Sequence, residues 1–172
     1  MPRKLKISIE TLSKMTGNRC IGITGGSGHL GTGLILKCLN EGFEVRALFH
    51  KTAPRIEHPR LNWVQGDIND LNQLKQTFKK VDLLIHCAAI ISLDQYSKTL
   101  LYRVNVEGTN TIIALCKSLK AKLIYISSSA AIVDPSNDQK FNEEGSYREP
   151  ENFYYGYTKA LSEKAVLKAI RE

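Results

Sequence analysis

Apolar and polar positions along the chain follow two rhythms. Short apolar runs, of a length suited to buried strands, cover Cys20–Thr24, Glu44–Phe49, Asn62–Gln65, Asp82–His86 and Lys122–Ser127. Between them the period lengthens to that of amphipathic helices, over His29–Asn40, Asp70–Lys80, Leu100–Leu119 and Tyr154–Ile170. Leu30, Leu34, Ile35 and Leu39 share one face of the first helix, and Leu71, Leu74 and Phe78 turn inward from the second. Gly42 marks the first helix's end. The fourth run has no polar face, which predicts burial on both sides and a parallel sheet. Strands alternating with helices predict right-handed crossovers and a doubly wound, three-layer α/β sheet of the Rossmann type. Met1–Arg19 lacks any period and reads as a basic extension ahead of one domain over residues 20–172. Asp134–Asn152 reads as a long loop.

Composition narrows the classes. With 172 residues, 42% hydrophobic and 24% charged, the chain suits one soluble domain with a substantial core. No apolar run approaches the ~20 residues of a membrane span. The N-terminus lacks the apolar centre of a secretory signal, so a cytoplasmic location is expected. Cys20, Cys38, Cys87 and Cys116 are scattered without metal-ligand spacing and are expected to be buried, reduced thiols. The net charge of +7 is spread rather than striped, and no nucleic-acid motif accompanies it. A basic cleft for a phosphorylated cofactor is the more economical use of that charge.

Candidate chemistry begins where the first strand meets the first helix. Gly25, Gly28 and Gly31 form G-x-x-G-x-x-G. The first lets the chain turn sharply out of the strand, the second lets backbone approach a pyrophosphate, and the third lets the helix lie close. The unpaired N–H groups at that helix's start suit phosphate. An NAD site usually places a carboxylate at the end of the second strand. Here His50, Lys51 and Arg55 follow that strand and no acid does, which favours NADP, with NAD as the alternative.

Further motifs occur in a fixed order. Thr24–Gly31 gives T-G-x-x-G-x-x-G, Gly66-Asp67-Ile68 follows the third strand, and His86-Cys87-Ala88-Ala89 follows the fourth. Asn105-Val106-Glu107-Gly108-Thr109, Ser127-Ser128-Ser129-Ala130 and Tyr155-x-x-x-Lys159 complete the series. In this order they resemble the extended branch of the short-chain dehydrogenase/reductase family, nearest to its 3β-hydroxysteroid dehydrogenase and dihydroflavonol reductase-like members. The resemblance implies a nicotinamide cofactor held by Gly25, Ser27, Gly28, His29, Leu30 and Gly31 at the pyrophosphate. It further implies Asp67 and Ile68 at the adenine, Cys87, Ala88 and Ala89 beneath the cofactor, and Ser127 and Lys159 beyond. Ser129, Tyr155, Lys159 and Asn105 are the implied catalytic set. The substrate would be a small molecule with an alcohol or carbonyl.

The residue chemistry is consistent with that role. Tyr155 and Lys159 are four apart on one helix face, and an ammonium beside a phenol favours the phenolate. The phenol could then exchange a proton with a substrate oxygen that Ser129 also holds. Tyr154 and Tyr157 are rivals without a lysine at the required spacing. Other readings are a non-catalytic NADP(H)-binding or sensor fragment and a nucleotide-sugar epimerase or dehydratase. The family also implies a homodimer through the helices near 100–119 and 154–171. Because the chain stops one helix after Lys159, it is expected to lack a sixth strand and the C-terminal substrate lobe, with little turnover alone.

Overall fold

The structure, a computed structural model, describes residues 20–52, 55–92, 97–134, 142, 144–151 and 153–171. The expected extension at Met1–Arg19 lies outside these residues, as does much of the expected loop after Asp134. Strands β1 (Cys20–Thr24), β2 (Glu44–Phe49), β3 (Leu61–Gln65), β4 (Leu83–His86) and β5 (Lys122–Tyr125) form one parallel sheet. Their order is β3-β2-β1-β4-β5. The order of strand addition therefore reverses between β1 and β4, the switch point at which open α/β sheets open a ligand crevice. Around the sheet lie α1 (His29–Asn40), α2 (Leu71–Thr77), α3 (Lys98–Leu101), α4 (Gly108–Leu119) and α5 (Tyr154–Arg171).

Two separate cores show that both sheet faces are covered. Ile21, Ile23, Ile35, Leu39, Val45 and Ile85 pack beneath α1. Leu74, Phe78, Leu84, Ile112 and Leu115 pack with α2 and α4 on the opposite face. β4 sends Leu83 and Ile85 to one core and Leu84 to the other, and all four of its residues are buried, as its unbroken apolar run predicts. α5 packs on α4 and on the segment preceding it.

Several boundaries differ from the sequence reading. Leu30 does not face the core and is 48% exposed. Gly31 takes the inward position instead, followed by Ile35 and Cys38 at helical spacing, so Leu30 is turned one position away. The second helix stops at Thr77 rather than Lys80, where Lys80 adopts φ +63°. β3 begins at Leu61, β4 at Leu83, and β5 ends at Tyr125, before Ser127. The long third helix begins at Lys98 and is interrupted by π-helical turns over Tyr102–Glu107. All four cysteines are free, Cys87 being half-buried and the others buried. Among the described residues no group of side chains is placed to hold a metal ion, and no helix is long and apolar enough to cross a membrane.

Candidate active site

The glycine turn is held by contacts that only glycine permits at two positions. Gly25 adopts φ +67°, and a Cβ there would lie 2.7 Å from the Ala88 backbone nitrogen. A Cβ on Gly31 would lie 2.2 Å from the Gly25 carbonyl oxygen, so α1 sits directly against the turn. Gly28 differs. Its Cβ would meet only the Gly25 oxygen, at 3.2 Å, leaving the remaining space open. Gly28 is also the N-cap of α1 and makes no side-chain capping bond, so that helix start presents backbone donors free of a side-chain cap.

Beside this turn is a cavity of about 540 Å³. Its wall includes Gly25, Ser27 and Gly28 from the turn, His50 and Lys51 after β2, Asp67 and Ile68 after β3, and Cys87, Ala88 and Ala89 after β4. Ten expected residues are thus brought together. His29, Leu30, Gly31, Arg55 and Ser127 are not on this wall, nor are Asn105, Ser129, Tyr155 and Lys159. Leu48, Phe49, Asn69, Ile90, Leu100, Arg103 and Val104 line the cavity without having been singled out from sequence. Leu100, Arg103 and Val104 recur at helical spacing on the segment that includes Asn105. That periodicity was readable, but which face met the cavity was not.

Asp67 is tightly engaged. Its Oδ1 accepts from the Asn69 backbone N–H at 2.9 Å, and its Oδ2 accepts from Arg103 Nη2 at 3.1 Å. The Asn69 backbone bond, ahead of the Arg103 charge, holds this carboxyl below the usual range against the opposing effect of burial.

Asn105 is 2% exposed, and its amide is fully used. Oδ1 accepts from Ile90 N–H at 2.9 Å, while Nδ2 donates to Ile90 O and to Thr158 Oγ1, both at 3.0 Å. The side chain thus acts as a strand-like partner for Ile90, which lines the cavity. In this arrangement Asn105 fastens the wall, with no free donor left to offer a substrate. The Asn105 carbonyl accepts from the hydroxyls of Thr109 and Ser162 within the π-helical stretch.

His86 is buried beneath the same wall, and its hydrogen bonds define its tautomer. Thr109 Oγ1 gives its proton to Asn105 O, so it accepts from His86 Nε2–H at 3.1 Å. Thr24 Oγ1 accepts from Ala88 N–H, so it donates to His86 Nδ1 at 2.7 Å. Burial, with Lys159 nearby, lowers the imidazole to about 3.

Tyr155 and Lys159 share the buried face of α5, at 8% and 4% exposure. Lys159 Nζ donates to Ile126 O at 2.8 Å and lies 4.4 Å from the Tyr125 ring centroid. Its direct partners are therefore the end of β5 and the residue after it. Burial lowers its ammonium from 10.5 to about 8. The Cys87 thiol, pushed up to about 11 by burial, is close enough to Lys159 to feel its charge. Ser129 is exposed and opens a short 3-10 turn, Ser129–Ala131, against which α5 packs. Arg148 fixes that turn by donating to Ala130 O and Ile132 O, both at 3.0 Å. Ser127 donates to Glu163, which also accepts from Tyr147.

The pattern of glycine turn, switch-point cavity and buried Tyr–Lys helix has counterparts among known proteins. The model of the 3-beta hydroxysteroid dehydrogenase/isomerase family matches residues 22–171. The chain belongs to that family. It is accordingly an extended short-chain dehydrogenase/reductase, with that fold. Human sterol-4-alpha-carboxylate 3-dehydrogenase, decarboxylating, is 30% identical over 96% of this chain and 44% of its own length. A 3-beta-hydroxysteroid dehydrogenase from Mycolicibacterium neoaurum is 30% identical over 84% of this chain and 42% of its own. The chain thus spans less than half the length of these family relatives. Among solved structures, the Bordetella bronchiseptica enzyme WbmH in complex with NAD+ superposes with a TM-score of 0.77. It is 22% identical, with 89% of this chain and 53% of that one covered.

Proposed function

We propose that this chain is the cofactor-binding half of a nicotinamide-dependent oxidoreductase acting on a secondary alcohol or its ketone. The observation that carries this reading is the cavity itself: it runs from an uncapped helix start, across Gly28, to the wall formed by Cys87, Ala88 and Ala89. The open space above Gly28 fits a pyrophosphate, and the backbone donors of α1 would hold it. His50, Lys51 and Arg55 would receive a 2′-phosphate, making NADP(H) the preferred cofactor. Asp67 and Ile68 would hold the adenine, and Lys159, with Ser127 nearby, the nicotinamide ribose. When bound, the nicotinamide gives or takes a hydride.

The chain's own groups would handle the proton. Tyr155, shielded from water, gives a proton to a ketone oxygen or takes one from an alcohol at its phenol oxygen. Ser129 holds the same substrate oxygen by hydrogen bond. Lys159, desolvated and on the same buried face of the helix, supplies positive charge at the reaction end. Asn105 contributes by holding Ile90 in place. The names of the relatives point to a sterol-like 3-hydroxyl as the substrate group. The same reading pairs α4 and α5 with a second copy, and size-exclusion chromatography at two concentrations tests this: a strictly monomeric species refutes it.

Calorimetric titration with NADPH and NADH tests the cofactor site. The parent chain is expected to bind NADPH more tightly. Gly28→Val fills the open space and meets only the Gly25 oxygen, at 3.2 Å from its Cβ, so it should abolish binding while circular dichroism stays unchanged. Undiminished binding by that variant would place the site elsewhere. Tyr155→Phe should leave affinity intact.

A further inference from the structure

Asp67 is the single acid among the described residues lining the cavity, and it shares that lining with His50 and Lys51, the cations that follow β2. Its carboxylate is held in the ionised form by the Asn69 backbone N–H, with Arg103 reinforcing this. Arg103 comes from a different part of the fold, the π-helical stretch, lines the same cavity and bonds to Asp67 at 3.1 Å. Both side chains are well exposed, at 58% and 41%. An exposed pair of this kind contributes little to stability. Its larger effect is on the field inside the cavity. With Arg103 present, Asp67 is matched and Lys51 remains as surplus positive charge. Without Arg103, Asp67 would cancel Lys51, and the wall would offer no net attraction to an anion.

We propose that Arg103 is a specificity-determining residue: it neutralises Asp67 so that the purine end of the cavity accepts a ribose 2′-phosphate. This rests on the nicotinamide-dinucleotide reading above. A phosphate monoester carries close to two negative charges at neutral pH, so an unmatched carboxylate nearby disfavours it far more than it disfavours a ribose hydroxyl. An arginine that only fastened the π-helical stretch to the loop after β3 would affect both cofactors alike.

The test is calorimetric titration of NADPH and NADH into the parent, Arg103→Gln, Asp67→Asn and the double variant, at low salt. The readout is the ratio of the two affinities, which cancels any common loss at the adenine. Arg103→Gln is expected to lower the NADPH-to-NADH ratio about fivefold to tenfold, given the charges and screening involved. Adding Asp67→Asn should return most of that ratio, since no carboxylate is left to neutralise. An unchanged ratio in Arg103→Gln, or no recovery in the double variant, overturns the proposal. If the parent binds NADH as tightly as NADPH, the proposal and the NADP preference fall together while dinucleotide binding stands. If the parent binds neither cofactor, the functional reading itself fails and takes the proposal with it. Urea midpoints for each variant, expected to match the parent's, keep a folding defect apart from a binding one.

Discussion

Replacing Asn105 by alanine separates a fastening role from a chemical one. Three hydrogen bonds are lost, two to the backbone of Ile90 and one to Thr158 Oγ1. A typical net contribution is about 1 kcal/mol per bond, and more where a group is left without a partner. The Thr158 hydroxyl is fully buried and keeps its bond to Tyr155 O, whereas Ile90 is half-buried and part of its loss is made good by water. A small cavity at a site 2% exposed adds to the cost. Together these give a destabilisation of about 3 kcal/mol. Urea denaturation, followed by circular dichroism and by the fluorescence of the single tryptophan, Trp63 in β3, measures it directly. Thr158→Val removes two bonds, the one from Asn105 and the one to Tyr155 O, and should cost about two thirds as much. An Asn105→Ala variant within about 0.5 kcal/mol of the parent would refute the clamp and return Asn105 to a role in chemistry.

Three more outcomes are expected. Because Lys159 falls from 10.5 unfolded to about 8 folded, the unfolded state binds more protons between these values, and stability should rise with pH across that window. The difference in urea stability between the parent and Lys159→Met isolates this rise, and a flat difference refutes it. His86 is lowered from 6.5 to about 3, so its contribution is lost as pH falls from 6.5 toward 3; His86→Asn should flatten that acid limb, and an unchanged limb would mean other groups cause it. Gly31→Ala forces a Cβ to within 2.2 Å of the Gly25 oxygen, and should lower both the urea midpoint and cofactor affinity more than Gly28→Ala does.

The sheet was legible because its signals are local and agree. Each apolar run has the length of a strand, and Gly25 requires the turn that the spacing implies. Much of the cavity wall was legible for a related reason: the ten expected residues on it lie just after β1, β2, β3 and β4, where a parallel sheet must open. What sequence could not supply were choices made across the fold. Leu30 and Gly31 are equally periodic, and only the close approach of α1 to Gly25 decides which turns inward. The π-helical stretch has no propensity signature; within it the Asn105 carbonyl is shared by Thr109 and Ser162, which lie on two different helices. Arg103 reads as an ordinary exposed helix residue until Asp67, 36 positions earlier, is brought beside it.

The chain of bonds through His86 has a consequence for observation. Each donor along it is assigned in turn: Ala88 N–H to Thr24, Thr24 to the imidazole, the imidazole to Thr109, and Thr109 to the Asn105 carbonyl. Its first member lies on the cavity wall and its last on the opposite helix layer. The Nε2 proton in the middle is sheltered from exchange with solvent and belongs to one fixed tautomer. In a nitrogen-15 spectrum it is a built-in reporter, whose resonance shifts when anything displaces Ala88 and stays still when a ligand binds elsewhere on the surface.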